Sequence, residues 1–497
     1  MVVTKRPTLG KMNIWIVLAC LLAYCFGSIL YLPHTMDDAY ITFRFAKNLV
    51  EHGVWVWDIH QQGSQAYTST LYAILAIIPN YFSLNAIPFF KTIGIMSVAV
   101  IILNVIYRNN KGIAPLAVLV ILCTNVPLYY HQTSCMETML FASLLFGLII
   151  FMHQKNVAST VFCTVLLALT RPEGAVFGLI AIYLLRNELW QDKHLILLLL
   201  LTGACYVGFH WIQFGTIIPN ALIRKTVTNY ALTHFVSNLF KARFYLIAIG
   251  VMYFVLKDYK IKAMIPGAVF VFIIIYAPSD LMMNIHDRFF WQIFFPILLS
   301  GLLLMEEPVL SKRYLIVLLT CIFLNISTWD VDKVVKETSY PQQMDQYHAL
   351  AGVLNKSQPG TILLCDAGII PYYSEWNAID FIGLTDPKIA RTGLNPKDLS
   401  AFKTEVILLY ADGLEIDSYW KGFFEQDDIY EYIRAQGTYA RVGQIRFDQH
   451  NILIFTDQSY LDKNPNFSTQ VKAAFNSYPD QRLVGLSNPY HTSYLFR

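Results

Sequence analysis

His34-Thr35-Met36-Asp37-Asp38-Ala39-Tyr40-Ile41-Thr42-Phe43-Arg44 follows directly on the first long apolar run of the chain, residues 13–32. Two adjacent carboxylates and an arginine therefore stand where a chain has just crossed a membrane. A charge at the bilayer centre costs roughly 2.5–3.5 kcal/mol, so charge this close to hydrocarbon is a functional candidate by default. The structural alternative is a helix start. Thr35 and Asp38 fit a capping box, and acidic residues suit a first helical turn. Helical spacing then puts Asp37, Ile41, Arg44 and Asn48 on one face.

The composition around this stretch is that of a polytopic membrane protein. Of 497 residues, 55% are hydrophobic and only 14% charged, which is far from the balance of a soluble chain. A net charge of +3 is too small to argue for a nucleic-acid partner. The eight cysteines have no metal spacing and no paired framework; Cys20, Cys25, Cys123, Cys163, Cys205 and Cys321 lie in apolar runs and read as small hydrophobes. Lys5, Arg6 and Lys11 ahead of the first run give it the flank of a signal peptide. The run is long enough to span and no small-residue cleavage site follows, so it is predicted to be an uncleaved first span.

Further apolar runs lie near 90–107, 113–128, 136–152, 156–170, 174–186, 194–212, 236–256, 263–278, 289–305 and 313–328, giving eleven predicted spans. With the N-terminus cytoplasmic, Arg108/Lys111, Lys155, Arg186/Lys193, Lys257/Lys260/Lys262 and Lys312/Arg313 all fall on the cytoplasmic side, as the positive-inside rule asks. Asp37/Asp38, Glu137, Arg171/Glu173, Arg224/Lys225 and Asp287/Arg288 then gather on the opposite side. Residues 71–82 are too short to span and read as a juxtamembrane or re-entrant piece of a first outer loop, 33–89. Lys241 and Arg243 sit at the wrong end of the 236–256 run, so its first turns are expected to form an interfacial helix. The runs flanking Thr170-Arg171-Pro172-Glu173-Gly174 are short, which sinks that turn below the membrane surface, lining a cavity.

The transmembrane domain is thus read as 1–329 and a soluble α/β domain, on the side of the acidic loop, as 330–497. Strands are predicted at 361–365, 378–382, 406–410 and 452–455, with helices near 343–355 and 426–435.

The outer face carries the chemistry. Trp55, Trp57, Tyr67, Thr68 and Ser69 supply rings and hydroxyls suited to a sugar; the two tryptophans alternatively form an interfacial aromatic belt. Glu137 is alternatively a helix-start carboxylate, and Arg171 and Glu173 alternatively pair with each other. Several cations around a carboxylate pair suit a phosphate, which arginine binds bidentately. A carboxylate would take the proton of an acceptor hydroxyl while the cations stabilise a departing lipid phosphate. No glycine-rich loop for a soluble nucleotide is present.

These residues resemble the C-type (GT-C) integral-membrane glycosyltransferases, and among them most closely the terminal β-(1→2) arabinofuranosyltransferases and related bacterial membrane proteins. The matching pieces run from about residue 30 to 390. They are Asp37–Arg44 with Asn48–Gly53, Ala66–Ser69, Cys135-Met136-Glu137-Thr138, Leu169–Gly174, Phe214-Gly215 through Pro219-Asn220 and Lys225, Arg288-Phe289, Asp366–Tyr373 and Asp380–Pro387. The resemblance implies a polyprenyl-phosphate sugar donor, a cell-envelope glycan or glycolipid acceptor, and a periplasmic active site in the bacterial inner membrane. It implies a catalytic acid in the first outer loop, with Asp37 as base by position and Asp38 in support. Arg44, Arg171, Lys225 and Arg288 are the candidate ligands of the donor phosphate. Tyr40, Tyr67, Thr68, Glu137, Glu173 and Asn220 are the candidate substrate contacts.

Two departures bear on the sugar. Ser64-Gln65-Ala66-Tyr67-Thr68-Ser69 stands where the family usually has Glu-Gly-Tyr-Thr-Asn, and Cys135 stands where it tends to have glycine. Arabinofuranose is therefore one candidate among similar sugars. Some members use a divalent cation and others do not; Asp37, Asp38, Glu137, His34 and His131 offer ligand atoms, but no spacing demands a metal. The rival classes are a transferase acting on lipid A or protein, a flippase of lipid-linked sugars and a non-catalytic assembly subunit. A flippase calls for polar groups deep in its spans on both sides and for internal repeats, neither of which the sequence displays.

Overall fold

The computed structural model describes residues 14–60, 63–107, 114–226, 231–281, 283–305, 311–329, 340–447 and 450–475. Lys5, Arg6, Lys11, Arg108 and Lys111 of the charge count lie outside these. Every apolar run named above folds as helix. Ile14–Tyr31, Ala86–Tyr107, Lys193–Phe214, Tyr259–Tyr276 and Ile285–Leu304 are each long and apolar enough to cross a membrane. Two more runs break into pairs: Ala114–Cys123 turns 63° into Val126–Thr133, and Leu232–Lys241 turns 65° into Arg243–Val255. Among the described residues that makes five spans by length, or seven if each bent pair counts as one. The predicted eleven are not reached by length, because Thr138–His153, Val157–Thr170, Gly174–Leu184 and Lys312–Ser327 are shorter helices. The amphipathic first member of the second bent pair occupies the place where an interfacial helix was expected.

Helix Arg288–Leu304 is the axis of this part, with every residue buried. It packs against Thr138–His153, Arg243–Val255 and Tyr259–Val271. Lys193–Phe214 is its opposite: apolar all round, with His210 its one buried residue. An apolar surface on all faces suits a helix whose solvent is lipid.

Helix Asp38–His52 forms because Ala39, Tyr40, Phe43 and Ala46 recur at helical spacing and bury one face. It stops at Gly53, whose φ of +72° is the left-handed conformation glycine adopts without steric cost. Residues 71–82 are short helical pieces, Thr70–Leu75 and Ile77–Tyr81.

The C-terminal part is a five-stranded mixed sheet: β1 Thr361–Leu364, β2 Asn377–Asp380, β3 Val406–Ala411, β4 Tyr439–Arg446 and β5 Asn451–Asp457. The order is β2-β1-β3-β5-β4, with β1 parallel to β2 and β3, and β5 antiparallel to β3 and β4. Alternation sends Leu363, Ile407, Leu409 and Phe455 to one face, under Leu399, Ile429 and Ile433. Ile362, Leu364, Val406 and Ile454 go to the other face with Leu350, Leu354 and Trp376. That second layer is continuous with Phe43, Phe45, Tyr72 and Phe90 of the membrane part. A shared apolar core, rather than a wet polar seam, joins the two parts and fixes their relative position. The unpredicted strand, β4, is an edge strand with a bulge between Arg441 and Gly443, so its burial does not alternate.

Candidate functional site

The expected capping box does not form: Asp37 is the N-cap of helix Asp38–His52, and no side chain caps that end. Instead the Asp37 carboxylate reaches the C-terminal sheet domain. Its Oδ1 accepts from the Ile369 amide at 2.7 Å and its Oδ2 from the Gly368 amide at 3.0 Å. These amides follow β1, at the carboxyl end of the parallel strands, where open α/β sheets commonly bind ligands. Asp366 lies beside them and accepts the hydroxyls of Tyr347 and Tyr410. Burial, then the neighbouring Asp366, pushes the Asp37 carboxyl well above the ordinary carboxylate range.

Asp38 lies close enough to Asp366 on one side and to Arg288 and Lys225 on the other to feel the charge of each. It is half-buried and, among the described residues, its carboxylate makes no hydrogen bond or ion pair. Burial raises its proton affinity, while Arg288 and Lys225 act in the opposite direction. The Asp38 carboxylate therefore stands before a cation cluster as an open acceptor.

The three cations of that cluster, Arg171, Lys225 and Arg288, come from three separate segments. Glu137 Oε1 accepts from Arg171 Nη1 at 2.5 Å and from Arg288 Nη2 at 2.8 Å. Arg171 Nε also donates to Glu173 Oε1 at 2.5 Å, and Arg288 Nε to Thr138 Oγ1 at 3.0 Å. The Tyr276 hydroxyl donates to Glu173 and accepts from Gln292 Nε2. Arg171, Lys225 and Arg288 all lie 5.3–5.4 Å from the centre of the Phe289 ring. The Lys225 ammonium has no side-chain hydrogen bond or ion pair among the described residues. Burial lowers its proton affinity to a pKa of about 8, with Asp38 holding it up and Arg288 and Arg171 lowering it further.

The backbone is unusual beside this cluster. His286 and Asp287, just before Arg288, have φ of +50° and +53°, and Cys135, two residues before Glu137, has +62°. Non-glycine residues pay for this conformation, and such positions concentrate at functional sites. A π-helical turn, Phe272–Tyr276, carries Tyr276 toward Glu173.

The predicted site residues thus divide. Asp38, Glu137, Arg171, Glu173, Lys225 and Arg288 come together. Arg44 does not join them: it is buried against Asp58 at 3.0 Å and lies 4.5 Å over the Trp57 ring. Asp58 also accepts the Ala378 amide at 3.1 Å, so this ion pair braces the first loop against β2. Asn220 Nδ2 donates to Ser64 Oγ at 3.0 Å, and Ser64 Oγ to the Thr385 carbonyl at 2.5 Å. Tyr67 is buried, accepting from Trp55 Nε1 at 3.1 Å. Tyr40 is buried among Phe43, Tyr372, Tyr373 and His348. Thr68, next to Tyr67 in the chain, is half-buried and makes no side-chain contact with the cluster among the described residues. Trp57 is buried, so the aromatic-belt alternative does not describe it.

Sequence reading missed Asp58, Tyr276 and Gln292; it singled out the segment Asp366–Tyr373 but gave Gly368 no part in holding Asp37. Asp58 carries no local pattern that sets it apart; Tyr276 and Gln292 lie within apolar runs, where a lone polar group is the only signal.

A divalent cation does not fit this set. The Asp37 oxygens accept amides, Glu137 is claimed by two guanidinium groups, and among the described residues no three His, Cys, Asp or Glu side chains are grouped to hold an ion.

Compared with known proteins, residues 335–460 match a family model described as a domain of unknown function, DUF8728. No curated protein matches the chain.

Proposed function

We propose that this chain is a GT-C-type glycosyltransferase of the bacterial inner membrane. It moves a sugar, arabinofuranose or a similar one, from a polyprenyl-phosphate donor to a cell-envelope glycan or glycolipid at the periplasmic face. The observation that carries the reading is the unbonded Asp38 carboxylate set before the Arg171, Lys225 and Arg288 cluster.

In this reading the donor phosphate sits on Lys225, whose ammonium has open donors, with Arg288 and Arg171 adding field. Asp38 takes the proton of the acceptor hydroxyl. The acceptor oxygen bonds to the anomeric carbon as the bond from that carbon to the phosphate oxygen breaks. Polyprenyl phosphate departs with the electron pair, stabilised by the cations. Glu137 and Glu173 hold the two guanidinium groups in place and keep the cluster near charge balance. The resemblance names Asp37 as the base; its engagement by two amides favours Asp38 instead.

The test is transfer of labelled sugar from defined polyprenyl-phosphate donors by purified protein, comparing wild type with Asp38→Asn and Asp37→Asn. Loss of at least about a hundredfold in a folded Asp38→Asn supports the reading. Full activity in that variant rejects Asp38 as the base. Donor binding without transfer from any donor leaves the flippase as the better description.

A further inference from the structure

We infer that Asp37 is a positioning residue: its carboxylate clasps the turn after β1 onto the first-loop helix and so holds Asp38 toward the cations. This rests on the reading of Asp38 as the base.

Each Asp37 oxygen already accepts one amide hydrogen bond, from Ile369 and from Gly368, and both bonds lie across the junction of the two parts of the molecule. The turn that supplies them is itself fixed. Asp366, at its start, is held by hydroxyls from two different elements, Tyr347 on helix Tyr340–Asn355 and Tyr410 on β3. Gly368 is required for the approach, because a Cβ there would collide with both the Asp37 carbonyl and its carboxylate.

The other side of Asp37 is equally tied. The preceding Met36 amide donates to the Ser134 carbonyl at 3.1 Å, in the segment that leads to Glu137. The Asp37 carbonyl accepts the Tyr40 amide at 3.0 Å and closes the first turn of the helix. Residues 36–40 are thus strung between the sheet domain and the Glu137 segment, and Asp38 is the next residue along. Rotating Asp37 out of its two amides would turn the first helical turn and move the Asp38 carboxylate away from Lys225.

The clasp is not what keeps the domains together. Ser64 to Thr385, Lys47 to the Tyr372 carbonyl at 3.0 Å, and Arg224 to Glu425 at 2.5 Å also cross the junction, beside the shared apolar core. Loss of Asp37 therefore loosens one turn in a protein that stays folded.

The experiment pairs amide hydrogen exchange over residues 366–373 with the pH profile of sugar transfer, in Asp37→Asn, Gly368→Ala and Asp38→Asn full-length protein. An asparagine keeps one acceptor and presents an NH2 group to the other amide. Exchange in this segment is expected to rise about tenfold in Asp37→Asn and in Gly368→Ala, and to stay at the wild-type rate in Asp38→Asn. Transfer by the first two falls in kcat while its acidic limb persists; Asp38→Asn loses the limb. Unchanged exchange in both Asp37→Asn and Gly368→Ala overturns the clasp, as does loss of the acidic limb in Asp37→Asn alone. If wild type transfers no sugar, the glycosyltransfer reading fails by itself, and the exchange comparison still decides whether the clasp exists.

Discussion

The Lys225 ammonium offers the sharpest test of the cation cluster, because its charge is lost in an accessible pH range. Burial and two nearby guanidinium groups bring it to about 8, against an ordinary 10.5. A lysine at that value is about nine-tenths charged at pH 7 and about one-tenth charged at pH 9. A polyprenyl-phosphate sugar is a phosphodiester with one fixed negative charge over this range, so the ligand does not titrate. If the ammonium holds the phosphate, donor affinity falls about tenfold between about pH 7 and 9. Lys225→Arg keeps its charge throughout and abolishes the alkaline loss. Lys225→Gln binds weakly at every pH and shows no limb. Binding of a fluorescent polyprenyl-phosphate sugar to detergent-purified protein reads all three. An alkaline limb in Lys225→Arg that matches wild type would refute the assignment of Lys225 to the phosphate, whatever the reaction turns out to be.

Two further outcomes concern the frame that holds the site. Asp58→Ala strands the buried Arg44 guanidinium and the Ala378 amide, and should cost about 3–5 kcal/mol in thermal unfolding. Replacing both partners by Met and Leu should recover most of that loss, and equal losses in the single and double variants would show that the pair is not what braces the loop. Asp380, buried and reached by the Ile382 and Thr385 amides, is pushed up to about 7 by burial, with those amides opposing. A carboxyl raised on folding binds more protons in the folded state, so its contribution is full at acid pH and is lost as pH rises from about 4 through 7. The loss is on the order of 4 kcal/mol at most, and Asp380→Asn should flatten that part of the pH dependence of the melting temperature.

Much of the architecture is local and was legible in the chain. Apolar runs name helices because a side chain's preference for lipid or core does not depend on its distant neighbours. Four strands follow from the same reasoning, and charge at run ends singled out Asp37/Asp38, Glu137, Arg171/Glu173, Arg224/Lys225 and Asp287/Arg288, of which Asp38, Glu137, Arg171, Glu173, Lys225 and Arg288 come together in the fold. Run length did not settle how many helices cross, because bends at residues 124–125 and 242 and the short helices depend on packing around Arg288–Leu304.

Within the acidic stretch, the sequence determined that a carboxylate pair stands at the start of a helix just after the first apolar run. Only the tertiary structure decided which partners each acid meets. Adjacent residues on a helix diverge by about 100°, so Asp37 meets amides more than three hundred positions later in the chain while Asp38 meets the cations. Arg44 shares the helical face of Asp37, and its partner Asp58 was set by a loop fold that no periodicity records. Charge type is written in the residue; whether a charge is spent on structure or left open for a ligand depends on what the fold brings within about 3 Å of it.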